Sequence, residues 1–322
     1  MTETLLKVTG LKKHYATGSG FLKKTGYVKA VDGVDFAIEK NTVFALVGES
    51  GCGKSTVARL VLRLIEATGG DVLFKGKSVF SLKGDNLKAY RRAVQIVFQD
   101  PFASLNPRMK IFTTLSEPLL IHKLCPRAEF RERVGKLLTN VGLEPDVMNR
   151  YPHEFSGGQR QRICIARALA LSPELIVADE PLSSLDVSIQ AQVLNLLKDL
   201  KDAYGLSFLF ISHDLNVVRY FSDTIGVMYL GKIVELAKSE DLFSAPMHPY
   251  TVMLIESAPK IRTSKPQRKT FDVNSLDVPS PINIPAGCPF HPRCPKCSDI
   301  CKTEIPQLQP HDGRLAACHL LS

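Results

Sequence analysis

The sequence predicts an α/β fold: a parallel-sheet core, a helical block inserted into it, and a small cysteine- and proline-rich extension at the C-terminal end. Three observations carry this. Strand-length apolar runs alternate with helical periodicity, the pattern of βαβ units. The alternation is interrupted over residues 100–172, which are mostly helical in pattern. Past residue 238 the composition shifts: Pro246, Pro249, Pro259, Pro266, Pro279, Pro281 and Pro285 follow one another, and five of the eight cysteines fall after residue 287.

Taken in order, residues 4–9, 31–38 and 71–74 read as short strands, rich in Val, Leu, Ile and Phe and bounded by Gly, Asp and Lys. Residues 16–27, which carry Gly and Lys, read as a surface insertion or a long hairpin loop. Residues 42–47 form a continuous apolar run, as expected of a buried parallel strand. That run leads into a Gly-rich turn and an apolar helical pattern over 55–67. Residues 94–98 read as another strand, and within the helical block 127–141 is the clearest helix. The parallel pattern resumes with strands at 175–178 and 207–212 and helices at 188–204 and 215–221. Residues 224–229 and 232–235 read as a hairpin joined across Leu230 and Gly231. Beyond 239 the chain reads as a tail or small appended domain, low in regular structure, with a basic stretch over 260–269. There is no tandem repeat.

Composition bounds the function loosely. The chain has 322 residues, no Trp and 7% aromatic residues, so its core is mainly aliphatic. No stretch approaches the ~18 uncharged apolar residues of a spanning helix. The N-terminus has no basic segment followed by an apolar one, so the chain is expected to be cytosolic and to meet a membrane only through a partner. The net charge of +9 is compatible with nucleic acid, a phosphate-rich ligand, an anionic membrane surface nearby or a solvated basic face, and decides among none of them. In a cytosolic chain the cysteine clustering favours metal or redox chemistry over structural disulfides.

Three motifs carry chemistry. Residues 48–55, Gly48-Glu49-Ser50-Gly51-Cys52-Gly53-Lys54-Ser55, fit G-x-x-x-x-G-K-[ST]. The glycines let the backbone wrap phosphates with N–H groups inward. Lys54 would reach the β- and γ-phosphates, the Ser55 hydroxyl would ligate Mg²⁺, and the helix that starts there adds its positive end. An unliganded Gly-rich turn is the alternative, and the expected strand before and helix after weigh against it. Second, an apolar strand ends in Asp179-Glu180, where one carboxylate can hold Mg²⁺ and the other can deprotonate a water. Alone, acidic residues at a strand tip are a weak signal. Third, Ser156-Gly157-Gly158-Gln159 opens an apolar helix and makes a second anion-binding helix terminus. A plain N-cap with a Gly turn would look the same. A dimer that clamps ATP between two chains needs both cradles.

With these elements placed, the chain closely resembles the ATP-binding cassette (ABC) ATPases over residues 4 to about 236. GESGCGKST (48–56) is similar to their phosphate loop, Gln99 in VFQDP to the Q-loop, and FSGGQRQR (155–162) to the signature motif. LIVADEP (175–181) is similar to the second acidic motif, SSLD (183–186) to the D-loop, and His213 in ISHD to the switch histidine. The resemblance implies a P-loop ABC ATPase core over 1–238, with an antiparallel β subdomain and an inserted helical subdomain at about 100–172, followed by the extension 239–322. It implies that Gly48, Ser50, Gly51, Cys52, Gly53, Lys54, Ser55 and Thr56 hold the phosphates of ATP. Ser55, Gln99 and Asp179 are the implied Mg²⁺ ligands, Glu180 the general base and His213 the γ-phosphate sensor. Tyr15 in KKHY resembles the aromatic that stacks on adenine. Ser156, Gly157, Gly158 and Gln159 would act on the ATP held by a partner chain, and Asp186 would link the two sites. Phe155 stands where Leu is usual, and the D-loop has Ser184 where Ala is common; neither removes a catalytic group.

QDPFASLNPR (99–108), PMHPYT (246–251), GCPFHPRCP (287–295) and ACH (317–319) narrow the resemblance to oligopeptide/dipeptide importer ATPases, whose architecture nickel importers share. The insertion before residue 28 resembles the second of the two paralogous ATPases. The implied assembly is a heterodimer with the other paralogous ATPase under two transmembrane permease subunits, at the cytoplasmic face of the membrane, fed by an extracytoplasmic binding protein. A soluble ABC ATPase acting on nucleic acid or ribosomes is the rival; it commonly has two cassettes or long coiled coils, and this chain has one cassette and no sustained heptads.

Cys288, Cys294, Cys301 and Cys318 supply four thiolates, with Cys297 between the second and third. Soft sulfur selects Zn²⁺ or an iron–sulfur cluster, and Cys294-x-x-Cys297 has zinc-like spacing. In the importer family the four without Cys297 are the recurrent set, and some members hold a [4Fe–4S] cluster; zinc and unmetallated thiols or disulfides are the other readings. The histidines lack ligand spacing; His248 and His291 are expected to hydrogen-bond locally, and Cys52 is not expected to be a nucleophile.

Overall fold

The computed structural model describes residues 3–17, 26–258, 279–280 and 282–321. The chain opens with an antiparallel pair, β1 (Thr4–Thr17) and β2 (Gly26–Glu39), in which Val8 faces Phe36 and Leu11 faces Val34. Both strands outrun their apolar stretches. Polar residues from Lys12 to Thr17 keep pairing as far as Thr17 with Gly26, because a ladder needs only backbone groups and not alternation. The expected insertion at 16–27 is thus strand at both flanks, and its residues 18–25 lie outside the described residues.

Next come β3 (Val43–Val47) and α1 (Lys54–Val61). The helical pattern runs to 67, yet the helix stops at 61. Arg63 adopts φ 51°, the left-handed closure in which Leu64 N–H returns to Arg59 O at 2.9 Å. The chain then completes the first sheet with β4 (Gly69–Phe74) and β5 (Lys77–Ser78), giving the order β2-β1-β4-β5.

After α2 (Gly84–Ala93), β6 (Val94–Val97) enters the second sheet. The helical insertion follows: α3 (Pro101–Ser104), α4 (Ile111–Ile121), α5 (Phe130–Asn140) and α6 (Gly157–Leu169). Then β7 (Leu175–Asp179), α7 (Val187–Tyr204), β8 (Ser207–Ile211), α8 (Leu215–Phe221), β9 (Thr224–Tyr229) and β10 (Lys232–Lys238) alternate as the pattern predicts. Strands β9-β3-β8-β7-β6 are parallel neighbours.

The period of two is visible in the core. Val43, Ala45 and Val47 of β3, with Phe208 and Phe210 of β8, pack on the face that the helical insertion covers through Ile111, Leu115, Val134 and Ile163. Phe44, Leu46, Leu209 and Ile211 pack on the other face, against α1 and the first sheet through Val57, Leu60, Leu6 and Phe36. Both faces of the parallel sheet are buried, which is why its strands read as unbroken apolar runs.

The extension adds α9 (Ser239–Ser244), α10 (Pro249–Ser257), α11 (Asp299–Thr303), β11 (Gln309–His311) and β12 (Arg314–Ala316). It carries more regular structure than its composition suggests. β12 pairs with β10, Glu235 opposite Ala316, and lengthens the second sheet to eight strands, β11-β12-β10-β9-β3-β8-β7-β6. Tyr250, Cys288, Phe290 and Cys301 are buried in the same apolar cluster as β3 and β8. Glu235, fully buried, accepts the N–H groups of Met247 (2.9 Å) and His248 (2.8 Å), and His248 Nδ1 accepts Tyr250 N–H at 3.0 Å, so PMHPYT is a capped helix start. The basic stretch at 260–269 lies outside the described residues.

Candidate active site

The loop between β3 and α1 needs glycine at two places. At Gly48 (φ 150°) a Cβ would stand 2.2 Å from Met228 O, and at Gly53 (φ 112°) 2.0 Å from Ala30 O. Backbone from β9 and β2 presses on the loop, so only glycine fits. Lys54 is buried, and its ammonium donates to Gly48 O (2.8 Å) and Glu49 O (2.9 Å). The lysine is thereby held inside the loop it would share with a phosphate. Cys52 lies 3.7 Å from that ammonium, and burial pushes its thiol pKa up, which leaves it a packing residue. Ser50 and Gly51 are exposed at the loop tip, and Thr56 N–H returns to Gly53 O at 3.0 Å.

Ser55 Oγ donates to Asp179 Oδ1 at 3.0 Å, so two of the expected Mg²⁺ ligands, 124 residues apart, are already adjacent. Burial raises the Asp179 carboxyl pKa, the Ser55 hydroxyl opposes this, and the Glu180 charge adds to it. A divalent cation there would favour the ionised form. A hydroxyl, a carboxylate and the nearby Gln99 amide are hard oxygen donors of the kind Mg²⁺ selects, so the residues fit it.

Gln99, Glu180 and His213 meet at one atom. Glu180 Oε2 accepts from Gln99 Nε2 at 3.1 Å and lies 3.2 Å from His213 Nδ1. Glu180 has φ 49°, a left-handed conformation uncommon outside glycine, held by its N–H on Ile211 O (3.0 Å) and by Ser183 Oγ on its own carbonyl (3.1 Å). The sequence marks Ser183 and Ser184 only as part of the D-loop resemblance, with Ser184 where Ala is common, and gives neither a contact. Ser184 Oγ donates to Gln99 O at 3.4 Å, a bond alanine could not make. Side-chain-to-backbone bonds of this kind leave no mark in a sequence pattern.

The Ser156 segment stands apart. Ser156 Oγ accepts Gln159 N–H (3.3 Å) and Gln159 Oε1 accepts Ser156 N–H (3.0 Å), a reciprocal cap on α6. Gly158 has a packing reason too: a Cβ there would lie 2.5 Å from Ile189 Cγ2 of α7. Among the described residues no hydrogen bond joins this segment to residues 48–56. Asp186, at the start of α7, makes no side-chain cap and is exposed, and Val187 beside it is 82% exposed. Tyr15 lies on β1, 38% exposed, with the Lys13 ammonium 5.2 Å from its ring centre.

In the extension, Cys288, Cys294, Cys301 and Cys318 line one small enclosed cavity together with Phe290, His291 and His319. Cys297 is not in that lining; its Sγ lies 3.5 Å from Ser298 O. Burial pushes the Cys288 thiol pKa up to about 11, and the three other cavity sulfurs add to the shift. Among the described residues no three His, Cys, Asp or Glu side chains form a ready coordination shell. Four converging thiols in an apolar cavity nonetheless have the donor chemistry of a soft-metal site. His248 and His291 bond locally, His291 Nδ1 lying 3.0 Å from Cys288 O.

Residues 31–183 match the ABC transporter family model, and residues 234–301 match the oligopeptide/dipeptide transporter C-terminal region. The chain is 50% identical to an oligopeptide transport ATP-binding protein, AppF, of Bacillus subtilis, over 99% of this chain and 98% of the relative. It is 48% identical to a dipeptide transport ATP-binding protein, DppF, of Haemophilus influenzae, over 98% and 96%. Among solved structures, the dimeric ATP-binding cassette MJ0796 bound to ADP and Pi aligns with a TM-score of 0.64 at 29% identity, covering 73% of this chain and 99% of that one. The cassette cbiO1 of Clostridium perfringens, part of the cbiONQ transporter complex, aligns with a TM-score of 0.65 at 26% identity, covering 76% and 92%.

Proposed function

This chain belongs to the ATP-binding subunits of ABC transporters, in the oligopeptide/dipeptide branch, and from that premise we propose how its residues energise peptide uptake. It is the ATPase subunit of a peptide importer and works through permease partners. The carrying observation is the meeting of Gln99, Glu180 and His213 on one carboxylate oxygen beside the Ser55–Asp179 pair.

ATP phosphates replace the Gly48 and Glu49 carbonyls as partners of Lys54, and the loop N–H groups hold their oxygens. Ser55, Asp179 and Gln99 would hold Mg²⁺, which when bound neutralises phosphate charge. Tyr15 stacks on adenine. Glu180 takes the proton of the attacking water, and His213 steadies that carboxylate and the γ-phosphate. Such hydrolysis is positioning and electrostatics, with no covalent enzyme intermediate. Ser156, Gly157, Gly158 and Gln159 close on the ATP of a partner ATPase, and Asp186 sits between the two sites. The exposed Asp186–Val187 corner supports that contact.

The partner ATPase is a paralogue, the permease has two transmembrane subunits, and an extracytoplasmic binding protein delivers the peptide. No helix among the described residues is long and apolar enough to cross a membrane, which fits a peripheral subunit at the cytoplasmic face. Residues 239–322 act as an importer-type extension on a nucleotide-binding domain of 1–238. Its four cavity cysteines would hold a [4Fe–4S] cluster, with Zn²⁺ and unmetallated thiols or disulfides as the alternatives. The relatives' names favour peptide over nickel as cargo, and a permease-bound ATPase over one acting on nucleic acid.

The test is to recover the tagged chain from mildly solubilised native membranes and identify its companions by mass spectrometry. Two permease subunits and a paralogous cassette are expected. Ribosomal or DNA-associated proteins without a permease would overturn the reading.

A further inference from the structure

Glu49 is the second residue of the phosphate loop, and every polar group it has is held. Its carbonyl accepts the Lys54 ammonium at 2.9 Å. Its N–H donates to the Tyr250 hydroxyl at 2.9 Å. Its carboxylate takes both arms of the Arg293 guanidinium, Nη1 to Oε2 at 2.8 Å and Nη2 to Oε1 at 2.9 Å. Two of these partners, Tyr250 and Arg293, belong to the C-terminal extension, 201 and 244 residues further along the chain.

These partners are themselves rigid. Tyr250 is fully buried, packed on Tyr229 and Phe290 with ring centres 4.6 and 5.4 Å away. The Arg293 side chain is 12% exposed; the residue's backbone N–H donates to Phe290 O at 3.0 Å, and its guanidinium lies 5.9 Å from the Phe290 ring centre. The next residue is Cys294, one of the four cavity cysteines. A planar guanidinium on a carboxylate through two parallel bonds fixes direction as well as distance. Fixing residue 49 fixes the carbonyls of 48 and 49, and those carbonyls place Lys54.

We infer that Arg293 is a positioning residue for the phosphate loop, so that the cysteine-bearing extension sets the affinity of this chain for ATP. The extension then acts as a brace on the nucleotide site, anchored through the segment that also lines the cysteine cavity. The inference rests on residues 48–56 being the ATP phosphate loop.

The test is titration of the full-length chain with a fluorescent ATP analogue in Mg²⁺, beside ATP hydrolysis in the assembled transporter. Lys54→Ala is the control for the underlying reading: if it binds as wild type does, residues 48–56 are not the phosphate site and the reading fails first. With that control weak, Arg293→Ala and Glu49→Ala should each bind about tenfold more weakly, the double variant should be no weaker than either alone, and KM should rise more than kcat falls. Arg293→Lys keeps the charge without the fork and should recover part of the loss. It also serves if Arg293→Ala fails to fold, as judged by thermal melting. Wild-type affinity in Arg293→Ala or, if that variant does not fold, in Arg293→Lys overturns the inference. So does a double variant whose losses multiply.

Discussion

Replacing Glu180 by glutamine changes one group at the point where three chain segments meet. The amide keeps the size and shape of the side chain. Placed at the Oε2 position, its oxygen can still accept from Gln99 Nε2, now 3.1 Å away, and from His213 Nδ1 in the tautomer protonated there, now 3.2 Å away, while its nitrogen takes the Oε1 position. The left-handed backbone at 180 is held by Ile211 O and Ser183 Oγ, neither of which touches the side chain. Folding stability should therefore move by no more than one ordinary hydrogen bond, about 1 kcal/mol. What disappears is the proton acceptor. A positioned general base contributes roughly 10²–10⁴ in rate, which is about 2.7–5.4 kcal/mol on the barrier. Single-turnover hydrolysis by the assembled transporter should fall by that factor while ATP affinity stays within a few-fold of wild type. With hydrolysis blocked, the ATP-bound dimer should accumulate on size-exclusion chromatography. Hydrolysis within tenfold of wild type would refute the assignment of the base to Glu180.

Other predictions follow from single contacts. Gly158→Ala places a methyl 2.5 Å from Ile189 Cγ2; overpacking of this kind costs about 1–3 kcal/mol, read as a lower melting temperature, and Ile189→Ala should restore part of it. Burial lowers the His248 pKa from 6.5 to about 4, so the folded chain keeps it neutral while the unfolded chain protonates it below 6.5. Its stabilising effect is complete above pH 6.5 and is lost as pH falls toward 4, with about 2 kcal/mol gone at pH 5 by linkage. Wild type should therefore lose more stability than His248→Gln between pH 7 and 5 in urea melts, and equal losses would contradict it. For the cysteine cavity, Cys301→Ser should lower the iron or zinc content measured by elemental analysis, whereas Cys297→Ser should leave it unchanged.

Much of this protein could be read from short-range patterns. Unbroken apolar runs at β3, β7 and β8 marked strands buried on both faces, and the structure puts them side by side in one parallel sheet. The glycines and Lys54 at the junction of β3 and α1 marked a candidate phosphate loop, since a backbone that must wrap an anion restricts residue choice within a few positions. Clustering marked the late cysteines, but only the family resemblance set Cys288, Cys294, Cys301 and Cys318 apart from Cys297, and those four line one cavity. Boundaries were less legible: α1 ends early because Arg63 turns left-handed, and β1 outruns its apolar residues because pairing needs only backbone.

What the linear chain determined by itself was the order of its elements and the chemistry available at each, because periodicity and turn geometry act over a few residues. Tertiary structure alone decided which of those chemistries meet. It set Gln99 and His213 on one oxygen of a Glu180 held at φ 49°. It joined β12 to β10, so that the composition break near 239 became a continuation of the sheet. It brought Arg293 to Glu49 across 244 positions. Such contacts depend on how whole layers pack: a long-range ion pair or strand pairing forms only once the assembled layers bring its members together.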